Sequence, residues 1–276
     1  MIETVKIDKG FFDLTIPAAK EPKGIIFAKL ETKINSVIQD IADDKLGDVA
    51  TTVINDDPSG PLAADVKALA CVDVFLREMR GIDLVLTPTG FGVVSTNDTA
   101  PASKIRVDAL DGELRVKWLN LSDAIMEKCF KISGWYQQGL VIIDTLFCFF
   151  SFLRRYAGLQ APISKDWETA AAPILEADRW LRDKISDEFM DELITKMATN
   201  ALDEKSRGVV HQIRRIIGVA IQGNKGVAYE YFRRLINTLE SDIESFGTYA
   251  GSQAYEVNHS TPYENKKDDS AFHFVG

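Results

Sequence analysis

The sequence predicts a mainly α-helical protein: a multi-helix bundle with a small β-hairpin near residues 83–95, an extended N-terminal arm and a C-terminal tail. Three observations predict it. Apolar residues recur at spacings of three and four along most of the chain. After Val94 no run alternates apolar and polar residues as a half-buried strand would. Turn-forming prolines and glycines, such as Pro58 to Pro61, Gly81, Gly134 and Gly223 to Gly226, fall between periodic segments, where helices begin and end.

The first twenty-two residues alternate loosely and contain Pro17 and Pro22, which predicts an extended arm or edge strand. Leu30, Ile34, Val37, Ile38 and Ile41 then share one helical face, with Lys29, Glu31, Lys33 and Asp40 opposite. Residues 55–61, Asn-Asp-Asp-Pro-Ser-Gly-Pro, read as a turn. Pro61 suits the first helical position, because its missing N–H would have had no partner there. The helix it opens runs to about Arg80 and buries Leu62, Val66, Leu69, Val72, Phe75, Leu76 and Met79, with Gly81 at the place of a left-handed cap. Two short β-type runs follow, Leu84 to Leu86 and Phe91 to Val94, around the turn Thr87-Pro-Thr-Gly90. Pro101 and Ser103 start another helix with Val107, Leu110 and Leu114 in its stripe, and Asp111-Gly112 predicts a break in it. The stripe resumes through Leu121, Ile125, Met126, Cys129 and Ile132 and stops at Gly134.

Leu140 to Leu153 is strongly apolar but interrupted by Asp144, Thr145 and Ser151, and it is shorter than the roughly 20 residues a membrane helix needs. It reads as a buried helix. Ser164 is expected to cap the next helix, which carries Trp167, Leu175 and Leu181 and contains Pro173 as a kink or early stop. Ser186-Asp-Glu-Phe189 opens another, with acidic residues where they favour the helix dipole. Ser206 to Ile221 and Tyr231 to Phe246 supply two further stripes joined by Gly223-Asn-Lys-Gly226, the pattern of an antiparallel helix pair. Beyond Gly247 the periodicity stops. The expected organisation is an arm at 1–22, a helical body at 23–246 divisible into 23–135 and 136–246, and a tail at 247–276 that ends in aromatic residues.

Composition narrows the function classes. Lys and Arg total 32 against 41 Asp and Glu, a net charge of −9, which disfavours a general phosphate-binding surface and leaves room only for a local basic patch. The first residues lack the basic and apolar regions of a secretory signal, so a cytoplasmic location is expected. Cys71, Cys129 and Cys148 lie far apart in apolar surroundings and read as small buried hydrophobes. His211, His259 and His273 accompany no nucleophile signature. Gly90-Phe-Gly92 and Gly223-Asn-Lys-Gly226 lack the spacing of a phosphate loop, and the acidic pairs lack that of a calcium loop. No catalytic, cofactor-binding or metal-ligating residue is therefore assigned, and an enzyme is not expected.

Candidate partner contacts remain. Arg214, Arg215, Arg233 and Arg234 form the nearest approach to a nucleic-acid patch, although Glu204, Glu230, Glu240 and Asp242 nearby favour ion pairing or a solvated face. Phe272 and Phe274 could anchor the tail on the chain's own body or on a neighbouring copy, and Phe91 lies in the hairpin.

Residues 84–95, Leu-Val-Leu-Thr-Pro-Thr-Gly-Phe-Gly-Val-Val-Ser, followed by Ala100-Pro-Ala-Ser-Lys104 and Arg106-Val107, resemble a family of unknown function encoded among structural genes of prophages in gut bacteria. Looser similarity extends to Thr145-Leu-Phe147, residues 186–193 and residues 263–274. The resemblance implies a virion or prophage structural component, such as a head–tail connector or another neck protein, made in the bacterial cytoplasm. Its implied partners are copies of itself or other virion structural proteins. It transfers no catalytic residue. A soluble helical binding or regulatory protein that contacts nucleic acid through the arginine patch is the alternative reading.

Overall fold

Helix forms wherever the apolar spacing is sustained. The computed structural model describes residues 2, 6–21, 23–82, 84–87, 90–93 and 104–260. In chain order the elements are α1 (Lys9–Thr15), α2 (Ile25–Ile41), α3 (Gly47–Asp56), α4 (Pro61–Glu78), β1 (Leu84–Thr87), β2 (Gly90–Val93) and α5 (Lys104–Cys129). There follow α6 (Phe152–Arg155), α7 (Ser164–Lys184), α8 (Asp187–Ala198), α9 (Glu204–Ile221), α10 (Lys225–Ser241), α11 (Gly247–Ala250) and α12 (Gln253–His259). The protein is mainly helical. A wider π-helical turn, Ala42–Leu46, links α2 to α3. Strands β1 and β2 pair antiparallel, with Leu84 opposite Val93 and Thr87 opposite Gly90.

Helix α4 is the axis of the first half. It buries Leu62, Val66, Leu69, Ala70, Cys71, Val72, Val74 and Phe75, residues that lie around most of its circumference, because α2 and α5 pack on it. The second half is organised by α9, which packs against both α10 and α7 and buries Val209, Val210, Ile213, Ile216 and Ile217. Contacts between α5 and α7 join the halves. Gly218 lets α9 lie close to the chain beyond α6: a Cβ there would stand 2.4 Å from the Tyr156 carbonyl oxygen.

Several expectations are corrected. The segment read as an extended arm contains α1, capped by the Asp8 carboxylate, which accepts the Phe11 N–H at 2.8 Å. Phe12 is fully buried, with its ring 5.6 Å from that of Phe27 and 6.3 Å from that of Phe75. The Ile2 backbone exchanges two hydrogen bonds with the Gln39 amide, of 3.0 and 2.7 Å. A helix of seven residues offers too few turns for its period to be seen. Helix α5 runs unbroken through Asp111 and Gly112, since one interior glycine costs only about 1 kcal/mol against the packing of a 26-residue helix. Gly81 is not left-handed; its N–H simply bonds the Glu78 carbonyl at 2.8 Å. Ser164 is the first residue of α7, and the Asp166 carboxylate closes that end by accepting the Ile163 N–H at 2.8 Å. Pro173 lies inside α7, so it does not stop that helix.

The largest correction concerns residues 140–153, many of which pack inward but which are irregular until α6 begins at Phe152. Ile143, Leu146, Phe147, Phe149 and Phe150 all enter the core. A buried irregular backbone needs partners for its polar groups, and side chains from distant elements supply them. Asp123 of α5 accepts the N–H groups of Phe150 and Ser151 at 3.1 and 2.8 Å. Arg214 of α9 donates to the Leu146 carbonyl at 2.9 Å, and Arg182 of α7 to that of Asp144 at 3.3 Å. Thr145 accepts the Phe147 N–H at 3.1 Å.

The packed body also continues past Phe246. Tyr249 of α11 is fully buried, its ring 6.0 Å from that of Phe189. Ser252 caps α12 and donates to the Ile185 carbonyl at 3.2 Å. A tail boundary at residue 247 is therefore too early. Single turns such as α11 bury residues without building a stripe, and so leave no period to read.

Candidate interaction site on the last helix pair

Asp203 caps α9 by accepting the Ser206 N–H at 2.8 Å, and hydrogen bonds from Ser206 hold its carboxyl below the usual range. With the apolar stripe of α9 turned inward, Arg207, His211 and Arg215 recur every fourth residue on the exposed side. Gly223, at a φ of +76°, turns the chain, and the Asn224 side chain caps α10. Leu235 and Leu239 fix α10 to the core and leave Tyr231, Arg234 and Thr238 beside α9.

A cleft of about 310 Å³ lies between the two helices, lined by Gln212, Arg215, Tyr231, Arg234 and Thr238. Arg215 Nη2 donates to Tyr231 Oη at 3.2 Å, and its guanidinium carbon lies 4.7 Å from the ring centroid. The guanidinium carbon of Arg234 stands 5.7 Å from the same centroid. Gln212 donates to Thr238 Oγ1 at 3.2 Å.

The four arginines grouped in sequence thus divide in space. Arg215 and Arg234 share the cleft. Arg233 is exposed and makes no hydrogen bond or ion pair among the described residues. Arg214 points into the core, where it bonds Leu146 and lies 4.3 Å over the Phe152 ring. Burial lowers its pKa, with the neighbouring Arg155 charge acting in the same direction.

Of ion pairing or a solvated face, the second describes this patch: among the described residues no carboxylate pairs with Arg207, Arg214, Arg215, Arg233 or Arg234, and all of these but Arg214 are exposed. Asp242 is engaged instead by Lys205 at 2.5 Å, and Glu240 lies 3.4 Å from His259. His211 stacks edgewise on Tyr156, and its Nδ1 is 3.3 Å from the phenol oxygen. Burial, then the charges of Arg215, Arg155 and Arg214, lower its pKa, so it is neutral near pH 7.

A second recess runs between α4, α5 and α7 as two adjoining hollows of about 420 and 450 Å³ that share Trp118, Leu119 and Trp167. Trp118 Nε1 donates to Asp73 at 3.2 Å, and Ile142 and Leu175 stand exposed at the rim. Asp123 in its lining holds the buried backbone, and burial raises its pKa against the hydrogen bonds it accepts. The thiols of Cys71, Cys129 and Cys148 are pushed up to about 12 by burial, which makes them packing groups rather than nucleophiles. Among the described residues no group of three His, Cys, Asp or Glu could hold a metal, and no helix is long and apolar enough to cross a membrane.

Of the other candidate contacts, Phe91 falls in β2, while Phe272 and Phe274 lie outside the described residues. Sequence spacing had no means to separate Arg214 from Arg215, because the group that Arg214 serves is a main-chain carbonyl nearly seventy positions away.

The fold and site define a mainly helical protein with an unpaired basic cleft on its last long helices. Residues 31–125 match the model of a family described as Family of unknown function (DUF6712), over about a third of the chain. That span runs from within α2 through most of α5 and includes the β1–β2 segment, whereas the cleft lies outside it. No curated protein and no solved structure matches the chain.

Proposed function

We propose that this protein is a non-enzymatic structural component of a prophage-encoded particle, a head–tail connector or another neck protein, that works by associating with copies of itself and with other virion structural proteins. One observation carries the reading: the β1–β2 segment, on which the resemblance to a family encoded among prophage structural genes rests, is a two-stranded ribbon with no third strand among the described residues. A ribbon of this kind is marginal alone, and among the described residues neither strand has a partner along its outer edge. Strand addition by a neighbouring copy would satisfy them. The proposed site of synthesis is the cytoplasm of the bacterial host, followed by incorporation into the virion.

The test is mass in solution across a wide concentration range, for the intact chain and for a variant with residues 83–95 replaced by a Gly-Ser linker. The reading expects oligomers that grow with concentration and are lost in the linker variant while the helical circular dichroism persists. A strict monomer at the highest concentration sinks it. Neighbouring genes for terminase, portal or capsid proteins would add support, whereas a metabolic operon would count heavily against it.

A further inference from the structure

We infer that Arg215 and Arg234, together with Tyr231, form a clamp for the backbone phosphates of duplex nucleic acid. The inference stands apart from self-association and narrows the sequence's arginine cluster to two residues. Both guanidiniums lie against one cleft and neither meets a carboxylate among the described residues. In a chain of net charge −9, arginines without a carboxylate partner gathered in one place offer a local match for a polyanion, and the acidic remainder would repel and so orient it.

The chemistry of the cleft favours phosphate. Each guanidinium presents five donors in a planar fork suited to a phosphate's oxygens, and Arg215 spends one of them on the Tyr231 hydroxyl. The Tyr231 ring already contacts both cations. It serves to hold them rather than to stack a base, so recognition falls on the backbone and is insensitive to sequence. Along α9 the row from Arg207 through His211 to Arg215 spans about 12 Å at the helical rise, which matches the axial rise of roughly three to four nucleotides of one strand. None of the five residues lining the cleft offers an aliphatic side chain, which argues against insertion into a lipid surface.

The experiment is fluorescence anisotropy of a labelled duplex of about 20 base pairs with the full chain, titrated from low to moderate salt. The expected result is sequence-independent binding that weakens with salt. Arg215→Gln with Arg234→Gln should weaken it at least tenfold at low salt and lower the log–log salt slope by about 1 to 2. Arg215→Lys with Arg234→Lys should keep the slope and lose part of the affinity, since charge survives and the fork does not. Circular dichroism of each variant establishes that it is folded. Failure of the wild type to bind duplex at low salt, or an unchanged slope in the glutamine pair, overturns the inference; so does binding to phosphatidylserine vesicles in place of DNA. Mass measured in the same buffer separates the two readings: a monomer that binds duplex through these arginines keeps the clamp and sinks self-association.

Discussion

Arg214→Ala should destabilise the fold far more than Arg215→Ala, although the two arginines are adjacent in sequence. Arg214 donates a charged hydrogen bond to Leu146 in the buried segment, and such bonds contribute about 1.5–3 kcal/mol. Its guanidinium also lies 4.3 Å over Phe152, a contact that contributes about 2 kcal/mol when shielded from water. Relief of the desolvation of the charge offsets part of both, while truncation leaves the Leu146 carbonyl without its donor and opens a void beside the ring. The net expectation is a loss of about 3 kcal/mol. For a chain of this size that lowers Tm by roughly 6–12 °C. Arg215 faces the cleft, and its contact with Tyr231 is of the exposed kind, which contributes under about 1 kcal/mol. Urea unfolding followed by circular dichroism and by tryptophan fluorescence gives both numbers, provided that the two transitions coincide. Equal losses for the two variants, or an Arg214→Ala loss below about 1 kcal/mol, would refute the argument that this arginine is a backbone partner of the buried segment.

Three further outcomes follow from single contacts. Tyr249 is fully buried and its hydroxyl has no hydrogen-bond partner among the described residues, so Tyr249→Phe should be neutral or raise stability slightly, whereas Tyr249→Ala should cost about 3–5 kcal/mol in the same unfolding assay. Gly218→Ala would bring a methyl group to 2.4 Å from the Tyr156 carbonyl oxygen; a cost of about 1–3 kcal/mol is expected, and a neutral result would mean that α9 can move away from that chain. His211 has a folded pKa below its ordinary value, because burial and the cations Arg215, Arg155 and Arg214 oppose its protonation. Its contribution to stability is full above the ordinary imidazole value and is lost as pH falls through it toward the lowered folded pKa. The stability of the wild type relative to His211→Gln should therefore drop across that window, by a small amount because the ring is largely exposed, and a relative stability that is flat or rises on acidification would contradict the assignment.

What the sequence made legible was whatever repeats. The stripe of α2 is buried residue for residue as its spacing singles it out, and those of α9 and α10 supply the inward face of the last helix pair, whereas α4 buries Ala70, Cys71 and Val74 beyond its stripe and leaves Leu76 and Met79 half-buried. What stayed hidden was held by single long-range contacts. Residues 140–151 present apolar side chains at nearly every position, which carries no period, and their conformation is decided by Asp123 and Arg214 from elements far away in the chain. The same logic hid α1 and α11, each too short to show a repeat, and it hid the division of the arginines. A basic run on a helix specifies charge but not direction; direction follows from which carbonyl or ring lies within reach.

That division bears on how the two halves of the molecule are coupled. The family-matched span ends at residue 125, before the buried segment, while the cleft belongs entirely to α9 and α10. Yet the halves are not independent. Asp123, near the end of the matched span, binds residues 150 and 151, and Arg214, one position before a clamp residue, binds residue 146. The irregular segment is thus tied to α5 on one side and to α9 on the other. A change at Asp123 should consequently reach the cleft through α9 even though no atom of Asp123 lines it. Loss of duplex binding in a folded Asp123→Ala variant, with Arg215 and Arg234 intact, would show the coupling; unchanged binding would show that α9 and α10 hold the clamp by themselves.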